Sequence, residues 1–595
     1  MRAPFVALDD ARPGRERLLR YRDPKGSVAA WSPAEVAPAL AAIEAAQARG
    51  LHAAGYFSYE LGYALEPRLA PLMPAGRKLP LLWFGLFGAR ETHENAHLLG
   101  EAVAGHAYAG PLRDVPSEDA YAPGFLAVKA LIAAGDTYQI NLSFRARFSF
   151  LGDPIALYLR MRARAGAGFG AYVEDGERAI LSLSPELFFA CENGVATARP
   201  MKGTVPRGPD AAEDARLRAR LQASEKDRAE NLMIVDLIRN DLGRVARTGG
   251  ITVEDLFAVE TYPTLHTMVS TVRAELRDRV GPADLVRALF PCGSITGAPK
   301  IRAMEIIRDL EPDPRGVYCG AVGAFGPDGS ALFNVAIRTV TIANGVGELG
   351  VGGGLVQDSR LASEYEECLV KARYFTETRE PIGLIETLRH DEGQGFARLD
   401  LHLARLAASA RALGIACDLA TARRALDRAV AGAAGAWRVR LLLAENGELS
   451  CTAAPLEAAP KIWSYAISER RVTSTDALLG HKTTWRTLYD GEREAHARAQ
   501  GCDEVIFLNE RGEVTEGSRA NVFALLRDKL VTPALSCGLL DGCLRREMLD
   551  AGLCQEGVLT PGALHRADKV YFGNSLRGLI VAVPAAVRVA HAAAE

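Results

Sequence analysis

Apolar and polar positions alternate most regularly over residues 179–189, a period of two that predicts a strand. Asn193-Gly194 follows, a strong hairpin signal, before the chain reaches Ala198-Arg199-Pro200. A two-residue turn there pairs Glu186 with Met201 and sends Lys202 to the opposite face. A three-residue turn with a bulge sets Glu186 directly across from Lys202. We expect the second register, because an acid beside an amine is useful chemistry. Helical patterns cover 122–134, closed by Gly135, and most of 210–247, while 136–142 opens a strand. Asp227 and Glu230 lie three apart and share a helix face, as do Glu364 and Glu367. Residues 293–300 and 540–545 both read as turns opening helices. The pattern changes after Phe375, so a boundary is expected near Pro381. The predicted organisation is 1–115 and 116–378 as two parts of one catalytic region, then 382–595 as a second domain.

With 595 residues and 48% hydrophobic content, the chain is long enough for two or more real cores. Lysine and arginine (70) nearly balance aspartate and glutamate (73), so no nucleic-acid partner is implied. Ten cysteines lack CxxC spacing, which points to a reducing compartment without disulfides or a zinc site. The start, Met1-Arg2-Ala3-Pro4-Phe5, has no signal-peptide core, and no apolar run is long enough to cross a bilayer. A soluble, cytoplasmic protein with no membrane partner is expected.

Candidate chemistry begins at Lys202, held between Pro200 and Pro206 and beside Gly203. Proline fixes φ and glycine relaxes it, so the lysine leaves the strand in a defined way. Its amine becomes a nucleophile if burial lowers its pKa. The acidic pairs are either solvated faces, with Glu367 paired to Lys371, or facing helices that present carboxylates to Mg2+. The turn Gly293-Ser294-Ile295-Thr296-Gly297-Ala298-Pro299-Lys300 suits backbone contact with an anion, but its spacing is not that of a P-loop. Gly352-Gly353-Gly354 permits close backbone approach to the same anion, or is a plain turn.

Ser184-Pro185-Glu186, Lys202-Gly203-Thr204 and the later blocks, in order over roughly 120–375, resemble the chorismate-utilising enzymes and, among them, the aminodeoxychorismate synthase component I branch. The resemblance implies an anthranilate synthase component I-like, β-sandwich-type α/β domain. It implies that Lys202 attacks the chorismate ring, that ammonia displaces it, and that Glu186 is the general acid for the departing hydroxyl. Anthranilate synthases usually carry alanine at the position of Lys202. His266 matches an active-site histidine near that hydroxyl. Thr296, Tyr318, Arg338, Gly352, Gly353 and Gly354 match substrate contacts. Glu230 and Glu367 match direct Mg2+ ligands, with Asp227 and Glu364 as outer or alternate ones. Gln139 stands where isochorismate-forming relatives carry a water-activating lysine, so ammonia is the expected nucleophile. The block Gly55-Tyr56-Phe57-Ser58-Tyr59-Glu60-Leu61-Gly62 resembles a region where some members bind tryptophan. Packing is the role expected of its aromatics here.

Downstream, Leu384-Ile385-Glu386-Thr387-Leu388-Arg389, Leu399-Asp400-Leu401-His402-Leu403-Ala404-Arg405-Leu406, Gly480-His481-Lys482 and Thr515-Glu516-Gly517-Ser518 resemble the fold-type IV pyridoxal phosphate enzymes. These include aminodeoxychorismate lyase and the branched-chain and D-amino-acid aminotransferases. The resemblance selects Lys482, rather than Lys461, Lys529 or Lys569, to bind the cofactor aldehyde. Glu516 would hold the pyridine nitrogen protonated, and Arg405, Gly542, Cys543 and Ser575 would surround the phosphate. Cys543 departs from the small or hydroxylic residues often found there, so its contact would be through the backbone. The family's opening strands before Glu386 are missing: either the earlier domain completes the sheet or this domain is shortened. Together the resemblances imply an α+β / α/β multidomain enzyme that aminates chorismate to 4-amino-4-deoxychorismate and then eliminates pyruvate to give 4-aminobenzoate. No Gly-x-Cys-x-Gly elbow is present, so ammonia would come from a separate glutamine amidotransferase subunit or from solution. An anthranilate-type synthase, an aminotransferase-like second domain and a non-catalytic chorismate or tryptophan binder are the competing readings.

Overall fold

The computed structural model describes residues 4–94, 99–100, 103, 105–262, 265–458 and 460–585. The chain divides into two compact units, Met1–Ala102, Pro111–Phe148 and Leu157–Arg379 in the first, Val103–Gly110, Ser149–Ala156 and Glu380–Glu595 in the second. Both mix helices and sheet.

In the first unit the described strand pairs are antiparallel. The run predicted as one strand over 179–189 is two, Arg178–Ser184 and Leu187–Glu192. Pro185 separates them, since it has no N–H to give a ladder. The hairpin corrects our expected register. Val195 pairs with Glu192, so the turn is the two-residue one, with Asn193 (φ 51°) and Gly194 (φ 75°) both left-handed as a type I′ turn requires. The register shift comes later, between Thr197 and Arg199, and Arg199 faces Leu187. Glu186 thus lies outside the ladder, and Lys202 pairs with Met268 on the strand Leu265–Leu276.

Helix Glu118–Ala133 begins at Glu118 because the Ser117 hydroxyl accepts the Ala120 N–H. The region 210–247 forms Ala211–Ala223 and Glu225–Gly243, capped by the side chains of Asp210 and Ser224. Glu364 and Glu367 ride on Leu361–Lys371. Tyr56, Phe57 and Tyr59 are buried, and Phe57 packs with Phe84, Phe325 and Phe333, so these aromatics build the core.

In the second unit Leu384–Asp391 sits between Gly395–Phe396 and Ala436–Leu443 in a four-stranded sheet. An eight-stranded sheet follows, and Val514–Gly517 closes it on itself by pairing with both Glu504–Asn509 and Asn521–Leu526. The unit starts earlier in the sequence than residue 382. Fully buried Tyr108 joins Leu384, Leu388, Leu406 and Leu441 in its core, with Leu151 packed against them. The Tyr108 hydroxyl donates to Glu445 (3.1 Å).

Candidate active sites

In the first unit, the strand Met201–Pro206 carries a register shift between Lys202 and Thr204. Gly203 supplies the bulge with φ 75°, and its carbonyl accepts the Thr267 hydroxyl (3.1 Å). A Cβ on Gly203 would come within 2.8 Å of Asp227 Oδ1, so only glycine lets the lysine strand approach helix Glu225–Gly243 this closely. Lys202 Nζ donates to Gln139 Oε1 (3.3 Å). Burial lowers the amine below its ordinary value, with Lys371 pushing the same way and Glu230, Glu186 and Glu367 opposing.

Glu186 is buried, and its Oε1 has no hydrogen-bond partner. Its backbone is pinned: its N–H donates to Ser184 Oγ (3.1 Å) and its carbonyl accepts from Val335 N–H (3.1 Å). Desolvation pushes its carboxyl up to about 7, against the Ser294 hydroxyl, Lys202 and the Met201 N–H. Acid and amine are therefore neighbours without being ladder partners.

The glycine run enters the same place. A Cβ on Gly354 would stand 3.0 Å from Lys202 Nζ and 3.3 Å from the Gln139 amide, and one on Gly352 would lie 2.5 Å from the Leu142 carbonyl. A Cβ on Gly353 would meet Glu364 Oε2 at 3.4 Å, an ordinary contact. Of the acidic groups, Glu230 is raised by burial, with Asp227 and Glu364 adding repulsion against Lys202 and Lys226. Glu364 is raised by burial and by Glu367, although the Ser359 hydroxyl (2.6 Å) stabilises its charge. Burial would raise Glu367 too, but Lys371 (2.8 Å) and Lys202 hold it below its ordinary value. The four carboxylates thus feel one another across two helices, a repulsion that a divalent cation relieves. Their ligand atoms do not gather as three within 4.8 Å, so a cation would have to draw them in.

Arg338 stands at φ 50°, and burial lowers the pKa of its guanidinium, with the Tyr374 and Tyr262 phenols opposing; among the described residues it has no carboxylate partner. An unpaired, desolvated guanidinium suits a carboxylate ligand. The Tyr318 ring packs beneath the Arg145 guanidinium (4.8 Å). Thr296 is fully buried, and its hydroxyl is spent on the carbonyls of Cys292 (3.1 Å) and Gly293 (3.2 Å). The His266 ring nitrogens meet Thr261 Oγ1 (2.9 Å) and Asp214 Oδ1 (3.0 Å), beside an open cavity of about 720 Å3 that Arg207 and Arg218 also line. Ser294 has no role in the sequence reading, whereas the Glu367–Lys371 pair weighed there against metal binding is present in the fold (2.8 Å).

In the second unit, the backbone locks Lys482 to the strand Leu384–Asp391: its carbonyl accepts Ile385 N–H (2.8 Å), and Thr483 bridges to Leu384. Burial lowers the Lys482 amine to about 8, helped by Arg405 and Arg486 and opposed by Glu386 and Glu516. Desolvation pushes Glu516 up to about 7, against the Leu540 N–H, Lys482 and the Tyr489 hydroxyl (3.2 Å). Gly542 caps helix Cys543–Asp550, and a Cβ there would fall 2.0 Å from Asn521 Oδ1. Arg405 grips both oxygens of Glu386 (3.0 and 2.6 Å) and donates to the Asp541 carbonyl (3.2 Å). His402 joins Glu386 Oε2 (2.6 Å) to Ser575 Oγ (2.7 Å). Burial raises the Cys543 thiol to about 11.

Glu386, His402 and Cys543 gather their ligand atoms within 4.8 Å, the one such group among the described residues. Arg405 already supplies the positive charge a metal would bring to Glu386, so the cluster reads as an anion cup. A low-basicity amine, a buried carboxyl, a helix N-terminus, a hydroxyl and an arginine fit a phosphorylated aldehyde. Glu386 and His402 lie within the sequence motifs, which assign them no role. Their signal is the i, i+3 spacing that puts His402 on the face of Arg405.

The family model described as chorismate binding enzyme matches residues 4–377, and that of amino-transferase class IV matches 383–583. Aminodeoxychorismate synthase component 1 of Escherichia coli K12 is 46% identical over 255 residues, 43% of this chain and 56% of that protein. Anthranilate synthase component 1 of Streptomyces coelicolor is 45% identical over 243 residues, 41% and 48% of the two chains. The chain therefore spans about half the length of these curated relatives. The crystal structure of anthranilate synthase component I from Streptococcus pneumoniae shares the fold at 24% identity and a TM-score of 0.52, over 62% of this chain and 93% of that one. The chain belongs to the chorismate binding enzymes, and its second unit is a class IV amino-transferase domain.

Proposed function

We propose that the first unit aminates chorismate to 4-amino-4-deoxychorismate and that the second eliminates pyruvate from this product, leaving 4-aminobenzoate. The observation that carries this reading is the pairing, in each unit, of a desolvated lysine with a carboxyl pushed up to about 7: Lys202 with Glu186, and Lys482 with Glu516. Lys202 Nζ, in its neutral form, attacks the chorismate ring as the C–O bond to the ring hydroxyl breaks. Protonated Glu186 gives its proton to that hydroxyl, which leaves as water. Ammonia then displaces the lysine amine. Arg338 and the turn at Thr296 orient the substrate carboxylates, and His266, held by Asp214 and Thr261, assists the departure of the hydroxyl. Glu230 and Glu367, with Asp227 and Glu364 beside them, would hold Mg2+, which would offset the substrate's ring carboxylate. The ammonia comes from a separate glutamine amidotransferase subunit, and the reaction belongs to the cytoplasm.

Pyridoxal phosphate, when bound in the second unit, supplies an aldehyde and an electron-accepting ring. Lys482 Nζ would take the proton from the substrate's ring carbon that bears the amine and give one to the departing enolpyruvate, which becomes pyruvate. Glu516 would face the ring nitrogen, and Arg405, Gly542, Cys543 and Ser575 would hold the phosphate. Aromatisation drives the elimination.

An anthranilate-type synthase is opposed by Lys202, which replaces the alanine usual in those relatives. A transaminating second unit is the reading the class IV name favours. Product analysis from chorismate, ammonium and Mg2+ decides. The proposal expects aminodeoxychorismate without pyridoxal phosphate, and 4-aminobenzoate with pyruvate once it is added. Anthranilate, or keto-acid-dependent amino transfer without pyruvate, would overturn it.

A further inference from the structure

The phosphate cup of the second unit contains a buried chain of hydrogen bonds whose polarity has a consequence for ligand binding. Glu386 (2% exposed) and His402 (1%) lie beneath Ser575 (8%). Burial would raise the Glu386 carboxyl, but Arg405 and His402 hold it below its ordinary value, so it is ionised and only accepts. His402 Nδ1, at 2.6 Å from Glu386 Oε2, therefore carries a hydrogen. The other nitrogen, 2.7 Å from Ser575 Oγ, has two options. In a neutral ring it accepts the serine hydrogen, and Ser575 then shows the cup only lone pairs. In a doubly protonated ring it donates to Oγ, and the serine hydrogen is free for an anion.

The other charged groups facing the ring do not remove this choice. Arg405, on the same helix, has its fork committed to Glu386. Arg398 Nη1 reaches the Ser575 carbonyl (3.3 Å) and leaves the hydroxyl untouched. Cys543 is a protonated thiol, the Asp541 side chain is held by Arg545 (2.8 Å), and Lys482 lies further along the cup as the aldehyde's partner. Glu386 offsets part of the Arg405 charge that a phosphate dianion entering the cup meets.

We propose that His402 is a positioning residue that takes up a second proton when a phosphate ester enters the cup, turning Ser575 from an acceptor into a donor. This rests on reading the cup as the cofactor phosphate site. Binding of pyridoxal phosphate to the full chain, followed by calorimetry in buffers of different ionisation heat, measures the proton uptake. The wild type should take up about one proton more than His402→Gln or Ser575→Ala, and its affinity should fall more steeply with rising pH. His402→Gln should weaken binding about 10- to 100-fold, the loss of one charge-assisted hydrogen bond. Ser575→Ala keeps the buried histidine pair, so it tests the proton count even if His402→Gln folds poorly. Equal proton uptake in wild type and Ser575→Ala, with Arg405→Ala weakening binding, would overturn the switch alone. Binding indifferent to Arg405→Ala would overturn the reading of the cup itself.

Discussion

In the proposed amination Glu186 and Lys202 need opposite protonation states, and burial has moved both toward neutrality. The carboxyl must hold a proton to release the hydroxyl, so its contribution is lost as pH rises through about 7. The amine must be free of one, so its contribution is lost as pH falls. Amination should follow a bell in kcat/KM against pH. Glu186→Gln should remove the alkaline fall and slow the reaction by about 10²- to 10⁴-fold. An alkaline fall that survives the substitution would assign the acid elsewhere. The sequence singles out these two residues and Lys482 as candidates, because prolines, a glycine and ordered motifs surround them. It does not single out Glu386 and His402, because their roles are hydrogen bonds made between distant segments. His266 was legible only by resemblance, and the fold gives it Asp214 and Thr261 as partners rather than the lysine.

At the level of elements, the strand Val346–Leu355 is a spacer whose glycines set how near Lys202 can come. Gly354→Ala would press a methyl group to 3.0 Å from Nζ, whereas Gly353→Ala makes only ordinary contacts. The first should lower synthase turnover by about 10²-fold through displacement of the amine. The second should be far milder, and equal effects would show that the strand does not position the lysine. The hairpin marks how far pattern reaches. Asn193-Gly194 announced the turn, and its two-residue length follows from the left-handed preference of both residues. Where the bulge fell was not written there, since the shift after Thr197 answers to pairing with Leu265–Leu276, a strand far along the chain.

At the scale of the whole molecule, the second unit includes two segments that precede most of the first unit's sequence. The sequence resemblance implies that opening strands are missing but does not point to these segments, because nothing local marks Tyr108 as a core residue of a unit that begins in earnest at Glu380. Tyr108→Ala should destabilise the second unit by about 3 kcal/mol, read as a shift of its thermal transition with the first unit's unchanged. No shift would place the residue outside that core. The claim beneath all of this is that two buried amines work in succession on one metabolite. It is tested most directly by chromatographing the products of Lys202→Ala and Lys482→Ala from chorismate, ammonium, Mg2+ and pyridoxal phosphate. Lys482→Ala should accumulate the aminated intermediate. Lys202→Ala should form almost none, yet convert added intermediate to 4-aminobenzoate at the wild-type rate. Continued 4-aminobenzoate formation from chorismate by either variant would contradict the account.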